Sequence, residues 1–86
     1  MADNSAYMAL GKMIFLQACK DMLGLDGVST STQREAEHWL RTDPKADLFA
    51  GGEGRGVAAA NSIQSDPEGV KQRLFCAYQA IRADNN

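Results

Sequence analysis

The apolar positions of the first quarter of the chain recur at helical spacing. In "SAYMALGKMIFLQACKDML", from Ser5 to Leu23, Tyr7, Ile14 and Ala18, with Leu25 just beyond, fall on one line of a helix. Met8, Phe15, Cys19 and Met22 fall on the adjoining line, and Lys12, Gln17, Lys20 and Asp21 take the remaining arc. The apolar sector spans about half the circumference, wider than the ~100° stripe that one packing surface needs. Either two neighbouring elements or a second copy of the chain must cover it, and a homodimer through Met8, Phe15 and Met22 is expected. "GLDGVS" then closes the helix, with two glycines able to adopt the left-handed backbone of a helix end.

A second amphipathic stretch, "TQREAEHWLRT", carries Ala36, Trp39 and Leu40 on one face. Thr32 stands three residues before Glu35, the spacing of a reciprocal capping box. Glu37 lies within reach of Arg34 and Arg41, so the outer face reads as paired and solvated. "TDPKADLF" and "SDPEGVKQRLF" share one helix-start grammar, a capping residue followed by proline in the first turn. At the second, Ser65 and Glu68 are expected to form a capping box. The last helix is predicted from about Pro67 to Arg82, with Val70, Leu74, Ala77, Tyr78 and Ile81 on its core face. Phe75 projects off that face, near Lys71 and Arg82, and is expected to meet either a second contact inside the monomer or a partner.

Between these helices runs "GGEGRGVAAANS", from Gly51 to Ser62. A nucleotide-binding P-loop needs Lys and Ser or Thr after its glycines, and a dinucleotide fingerprint needs a preceding strand; both are missing here. The tract is expected to be a flexible connector, with a short helix somewhere in "VAAANSIQ". The alternative is a phosphate cradle built from Gly52, Gly54, Arg55 and the neighbouring amides. The whole pattern, without any alternating strand, predicts one all-α domain over residues 1–86. It is a small bundle of three main helices, one or two short ones and a Gly-rich connector.

Composition narrows the function classes. A chain of 86 residues with 44% hydrophobic and 23% charged residues folds, but its core is small enough for self-association to matter. The net charge of -2 provides no global field toward nucleic acid, although Arg34, Arg41, Arg55, Lys71, Arg73 and Arg82 could converge locally. Cys19 and Cys76 read as reduced members of apolar helices, and His38 has no nearby set of metal ligands. Whether His38 meets either cysteine is a question for coordinates; the expectation is no enzyme, no metal and no cofactor. "MIFLQAC" is too short and too polar to span a bilayer, and no signal-peptide pattern precedes it, so a cytoplasmic, membrane-free protein is expected.

Two stretches, "REAEHWLRTD" and "SDPEGVKQRL", resemble small proteins encoded in bacteriophages and prophages. In these, an Ala-x-x-Trp-Leu helix ending in Ser/Thr-Asp precedes an Asp-Pro-x-x-Val-Lys/Arg-x-x-Leu helix. The matching residues are Ala36, Trp39, Leu40, Thr42 and Asp43, then Asp66, Pro67, Val70, Lys71 and Leu74. This chain departs in having the glycine and alanine tract where a shorter link is expected. The resemblance implies a compact accessory protein that binds a bacterial host factor or a promoter, and it carries over no active-site residue. The sequence therefore points to an interaction protein that modulates or inhibits a host protein, with Arg55, Lys71, Phe75 and Arg82 as candidate contacts. Its alternatives are a helix-turn-helix-like DNA-binding regulator and a small-ligand binder at the glycine loop.

Overall fold

The computed structural model describes residues 4–84, with the side chains of residues 4–8, 82 and 84 outside the description. Met8 and Arg82, both candidate contact residues, fall among these. The described residues form five α-helices and no strand: α1 (Asn4–Leu23), α2 (Thr30–Thr42), α3 (Pro44–Ala50), α4 (Arg55–Ser65) and α5 (Pro67–Asp84). A 3-10 turn, Leu25–Gly27, joins α1 to α2.

Local chemistry accounts for each boundary. Gly24, at φ 77°, ends α1, and its N–H donates to the Asp21 carbonyl. Asp43 serves two helices at once: its N–H donates to the Trp39 carbonyl to close α2, and its Oδ1 accepts from the Lys45 N–H at 2.8 Å to open α3. Asp66 repeats this device between α4 and α5, donating to the Ser62 carbonyl and accepting from the Gly69 N–H at 3.1 Å.

Two caps differ from the sequence expectation. The cap of α2 is Ser29, whose Oγ accepts from the Thr32 N–H at 3.1 Å, so Thr32 and Glu35 form no capping box. In the run "STST" every residue is competent to cap, and the first one after the 3-10 turn takes the role. At α5 the cap is Asp66 rather than Ser65: Pro67 is the first helical residue, which leaves the cap to its immediate predecessor. Ser65 ends α4, and Glu68 pairs with Lys71 instead.

α1 touches α2, α3, α4 and α5 and forms the centre of the bundle, and these neighbours cover its apolar sector from Phe15 to Met22 in part, while Ile14 stays exposed. Leu16 and Cys19 from α1 meet Leu40, Ala46, Ala60, Ile63, Val70 and Leu74 in one core, with Leu40 only 1% exposed. Phe15 and Met22 are half-buried and pack against this core within the single chain. Among the described residues the exposed large apolar side chains of α1 are Leu10, Met13 and Ile14. Gly11 has a packing role: the Phe49 ring of α3 lies where a β-carbon would stand.

The "VAAANSIQ" segment also departs from expectation. It belongs to α4, a helix of 11 residues whose Ala60 and Ile63 are buried in the core. Only residues 51–54 remain a turn, so the tract is no loose joint between two helical blocks. Alanine-rich segments show little amphipathic bulk, and their burial comes from close helix approach rather than from large side chains.

Candidate protein-binding surface

The glycine turn is closed on itself. Asp47 of α3 extends its carboxylate across the turn, where Oδ1 accepts from the Gly56 N–H at 2.8 Å and Oδ2 from the Gly54 N–H at 3.3 Å. Its backbone carbonyl accepts from the Gly52 N–H at 2.8 Å, while the Arg55 N–H donates to the Gly52 carbonyl at 3.2 Å. The Gly54 and Gly56 donors are thus held by the chain's own carboxylate, placed at the N-terminus of α4 where the helix dipole favours negative charge, and those of Gly52 and Arg55 by backbone carbonyls. Arg55 is exposed at the first position of α4, its guanidinium folded back beside Gly51. Asp47 escaped the sequence reading because it sits inside "TDPKADLF", where it looks like an ordinary helical acid. The available signal was an acidic residue shortly before a glycine run that precedes a helix.

Lys71 and Phe75, two of the expected contacts, do come together. They line a groove of about 360 Å³ between α1 and α5, with Lys20 and Gln17 on the α1 side and Leu25, Leu74 and Tyr78 completing its apolar surface. α5 rests on α1 and α4 alone, so its opposite side is open. Phe75 is 64% exposed and finds no burying contact inside the monomer. Two exposed ion pairs hold the lysines: Lys20 Nζ lies 2.6 Å from Asp26 Oδ2, and Lys71 Nζ lies 3.1 Å from Glu68 Oε1. The hydrogen bond that the Lys20 ammonium donates to Asp26, reinforced by the carboxylate charge, raises the Lys20 pKa, and burial raises that of the Tyr78 phenol. Arg55 is not among the residues lining this groove. Lys20, Leu25 and Tyr78 escaped the sequence reading because their meeting depends on how α1 crosses α5.

No family model matches the chain, and no curated protein or solved structure does either. In "REAEHWLRTD" and "SDPEGVKQRL", Ala36, Leu40, Val70 and Leu74 are buried, while Asp43 and Asp66 are caps.

The remaining candidate chemistry is dispersed. His38 is exposed on α2, in a shallow surface depression shared with Arg34, Glu35, Trp39, Asp43 and Pro44. Among the described residues the backbones of α2 and α5 stay apart, which separates His38 from Cys76. Arg41 serves the fold: its guanidinium binds Glu37 on its own helix and donates to Asn61 Oδ1 and Gln64 Oε1 of α4, at 2.9 and 3.1 Å. Gln64 returns a hydrogen bond to Glu37 at 3.1 Å, closing a network between α2 and α4 where the sequence suggested a solvated pair. Among the described residues no group of three or more His, Cys, Asp or Glu is placed to hold a metal, and no helix is long and apolar enough to cross a membrane.

The two thiols differ sharply. Cys19 is buried and Cys76 exposed, although the sequence places both in apolar helices; both are free. At pH 8 a thiol reagent is expected to label Cys76 promptly and Cys19 only when the protein opens, as mass spectrometry with and without denaturant will show. Prompt labelling of both thiols in the native protein would contradict this packing. Burial pushes the Cys19 thiol from its ordinary 9.0 up to about 12. Between these values the unfolded thiol loses its proton while the folded one keeps it, so the Cys19 contribution to stability falls as pH rises through that window.

Proposed function

We propose that this chain is a phage-type accessory protein that acts without catalysis, binding a bacterial host protein stoichiometrically and modulating or inhibiting it. The observation that carries this reading is Phe75, a large aromatic side chain 64% exposed at the rim of the groove between α1 and α5. Exposing an aromatic ring beside apolar walls forgoes burial free energy that a partner can recover, and aromatic residues seated in pockets are the usual anchors of binding. The groove combines this anchor with lysines that can orient a partner. Arg41 is committed to the bond between α2 and α4, which removes one of the cations that a DNA-binding face would have used.

The test is affinity capture from a bacterial lysate, with and without nuclease, using the wild-type chain and Phe75→Ser. A host protein captured irrespective of nuclease, and bound about thirtyfold more weakly by the variant, is the expected result. Because Phe75 is exposed, the variant keeps its helical content and unfolding midpoint. Capture that depends on nucleic acid, or that is identical for the two chains, would refute the reading.

A further inference from the structure

We propose that the cleft between α1, α4 and α5 binds a small carboxylate with a short apolar chain, its anion held by Arg73 and its chain laid along Phe15, Val70 and Leu74. This inference is independent of the host-binding reading, which rests on Phe75.

Size limits the occupant. The cleft measures about 250 Å³, and Phe15, Leu16, Ala59, Val70, Leu74 and Ala77 supply its apolar wall. Ala59 and Ala77 are half-buried and too short to fill the space between the three helices. A helix, ~10–12 Å across with its side chains, does not enter such a space. A methylene takes up roughly the ~30 Å³ of a water molecule, so a chain of about eight carbons does.

Charge selects an anion. Arg73 is the one charged side chain that lines the cleft, and it forms no ion pair with any described residue, whereas Lys20, Arg41 and Lys71 each have a carboxylate partner. The helices that build the cleft place no acid near it: α4 contains no Asp or Glu, α1 has none before Asp21, and α5 has none between Glu68 and Asp84. Burial keeps the Cys19 thiol protonated, so this lining group adds no negative charge either. The guanidinium only donates, and its flat fork matches the two oxygens of a carboxylate. The Ser62 hydroxyl also lines the cleft, and no described residue hydrogen-bonds to it, which leaves a second donor for the same ligand. A few polar groups set into otherwise apolar walls are the usual make-up of a small-molecule site.

The test uses the full-length, 15N-labelled chain and three probes with one chain length: octanoate, octanol and octylammonium. Octanoate is expected to shift the amides of Ala59, Ser62, Val70, Leu74 and Ala77 and to bind about tenfold more tightly than octanol, with octylammonium weakest. Hexanoate, two methylenes shorter, should bind about fifteenfold more weakly than octanoate. Because Arg73 is exposed, Arg73→Gln should keep the unfolding midpoint and the octanol affinity while reducing octanoate to the level of octanol. Ala77→Leu should fill the cleft and abolish binding of both. Octanoate that leaves these amides unmoved at millimolar concentration, an equal or larger response to octylammonium, or octanoate binding unchanged in Arg73→Gln overturns the inference. So do shifts confined to Lys71 and Phe75, which place the ligand in the other groove, and a response to phosphatidylglycerol vesicles without one to free octanoate, which makes the ligand a membrane lipid.

Discussion

Replacing Asp47 by alanine is expected to cost about 3 kcal/mol of folding stability, read from urea unfolding. The carboxylate holds Gly56 N–H at 2.8 Å and Gly54 N–H at 3.3 Å, and the cap position of α4 is a glycine with no side chain to substitute for it. Hydrogen bonds to a charged group contribute roughly 1.5–3 kcal/mol each, and removing the acceptor leaves the part-buried Gly56 donor without its partner. The exposed Gly54 N–H can turn to water, which keeps the total near the upper end of the range for one such bond. Asp47→Asn retains one carbonyl oxygen for Gly56 but turns its amide toward Gly54, so its expected cost is about half as large. Hydrogen exchange gives an independent reading: the Gly54 and Gly56 amides should be protected in the wild type and exchange early in Asp47→Ala. A stability change within about 0.5 kcal/mol would mean that the turn is not organised by this carboxylate.

Gly56→Ala is expected to be similarly damaging, at about 3 kcal/mol, and in the opposite direction from the intrinsic helix preference. In an isolated helix this substitution gains roughly 1 kcal/mol. Here the added methyl group would fall on the Leu40 carbonyl oxygen and stand 2.9 Å from Asp47 Oδ1 and 3.0 Å from Ala46 Cβ. Leu40 is the most deeply buried large side chain of the core, so the last turns of α2 cannot retreat without disturbing the packing around it. The Asp47 contact is pushed away at the same time. At Ala58, exposed on the same helix, the ordinary rule should hold, with Ala58→Gly costing about 1 kcal/mol. If thermal melts showed Gly56→Ala to be as stable as the wild type, the close approach of α4 to α2 would be wrong.

These two residues also show why the glycine tract was hard to read as a sequence. Gly56 looked like one more flexible connector position, but its lack of a side chain is what lets α4 lie against the end of α2. Asp47 and the two glycines whose amides its carboxylate holds are seven and nine residues apart and lie on either side of a turn, so no helical or strand period runs from one to the other. The groove has the same history. Lys71 and Phe75 were legible as neighbours on one helix, four residues apart, while Lys20 and Leu25 joined them only through the crossing of α1 and α5. The packing of Phe15 and Met22 against the core was open in the sequence for a related reason: periodicity shows that a face is apolar, and the path of the chain decides what covers it.

What the sequence by itself determined is the set of helices and most of their core faces. Caps, left-handed glycines, helix-starting prolines and the helical period all act within a few residues, and Asp43-Pro44, Asp66-Pro67 and Gly24 carry their boundaries wherever they are placed. Only the tertiary structure decided which of several competent residues caps, that the alanine-rich segment is core, that the loop amides belong to Asp47, and that Phe75 stands beside two lysines at an open groove. Each of those outcomes depends on contacts between groups distant along the chain, and their free energies exist only once the helices have packed.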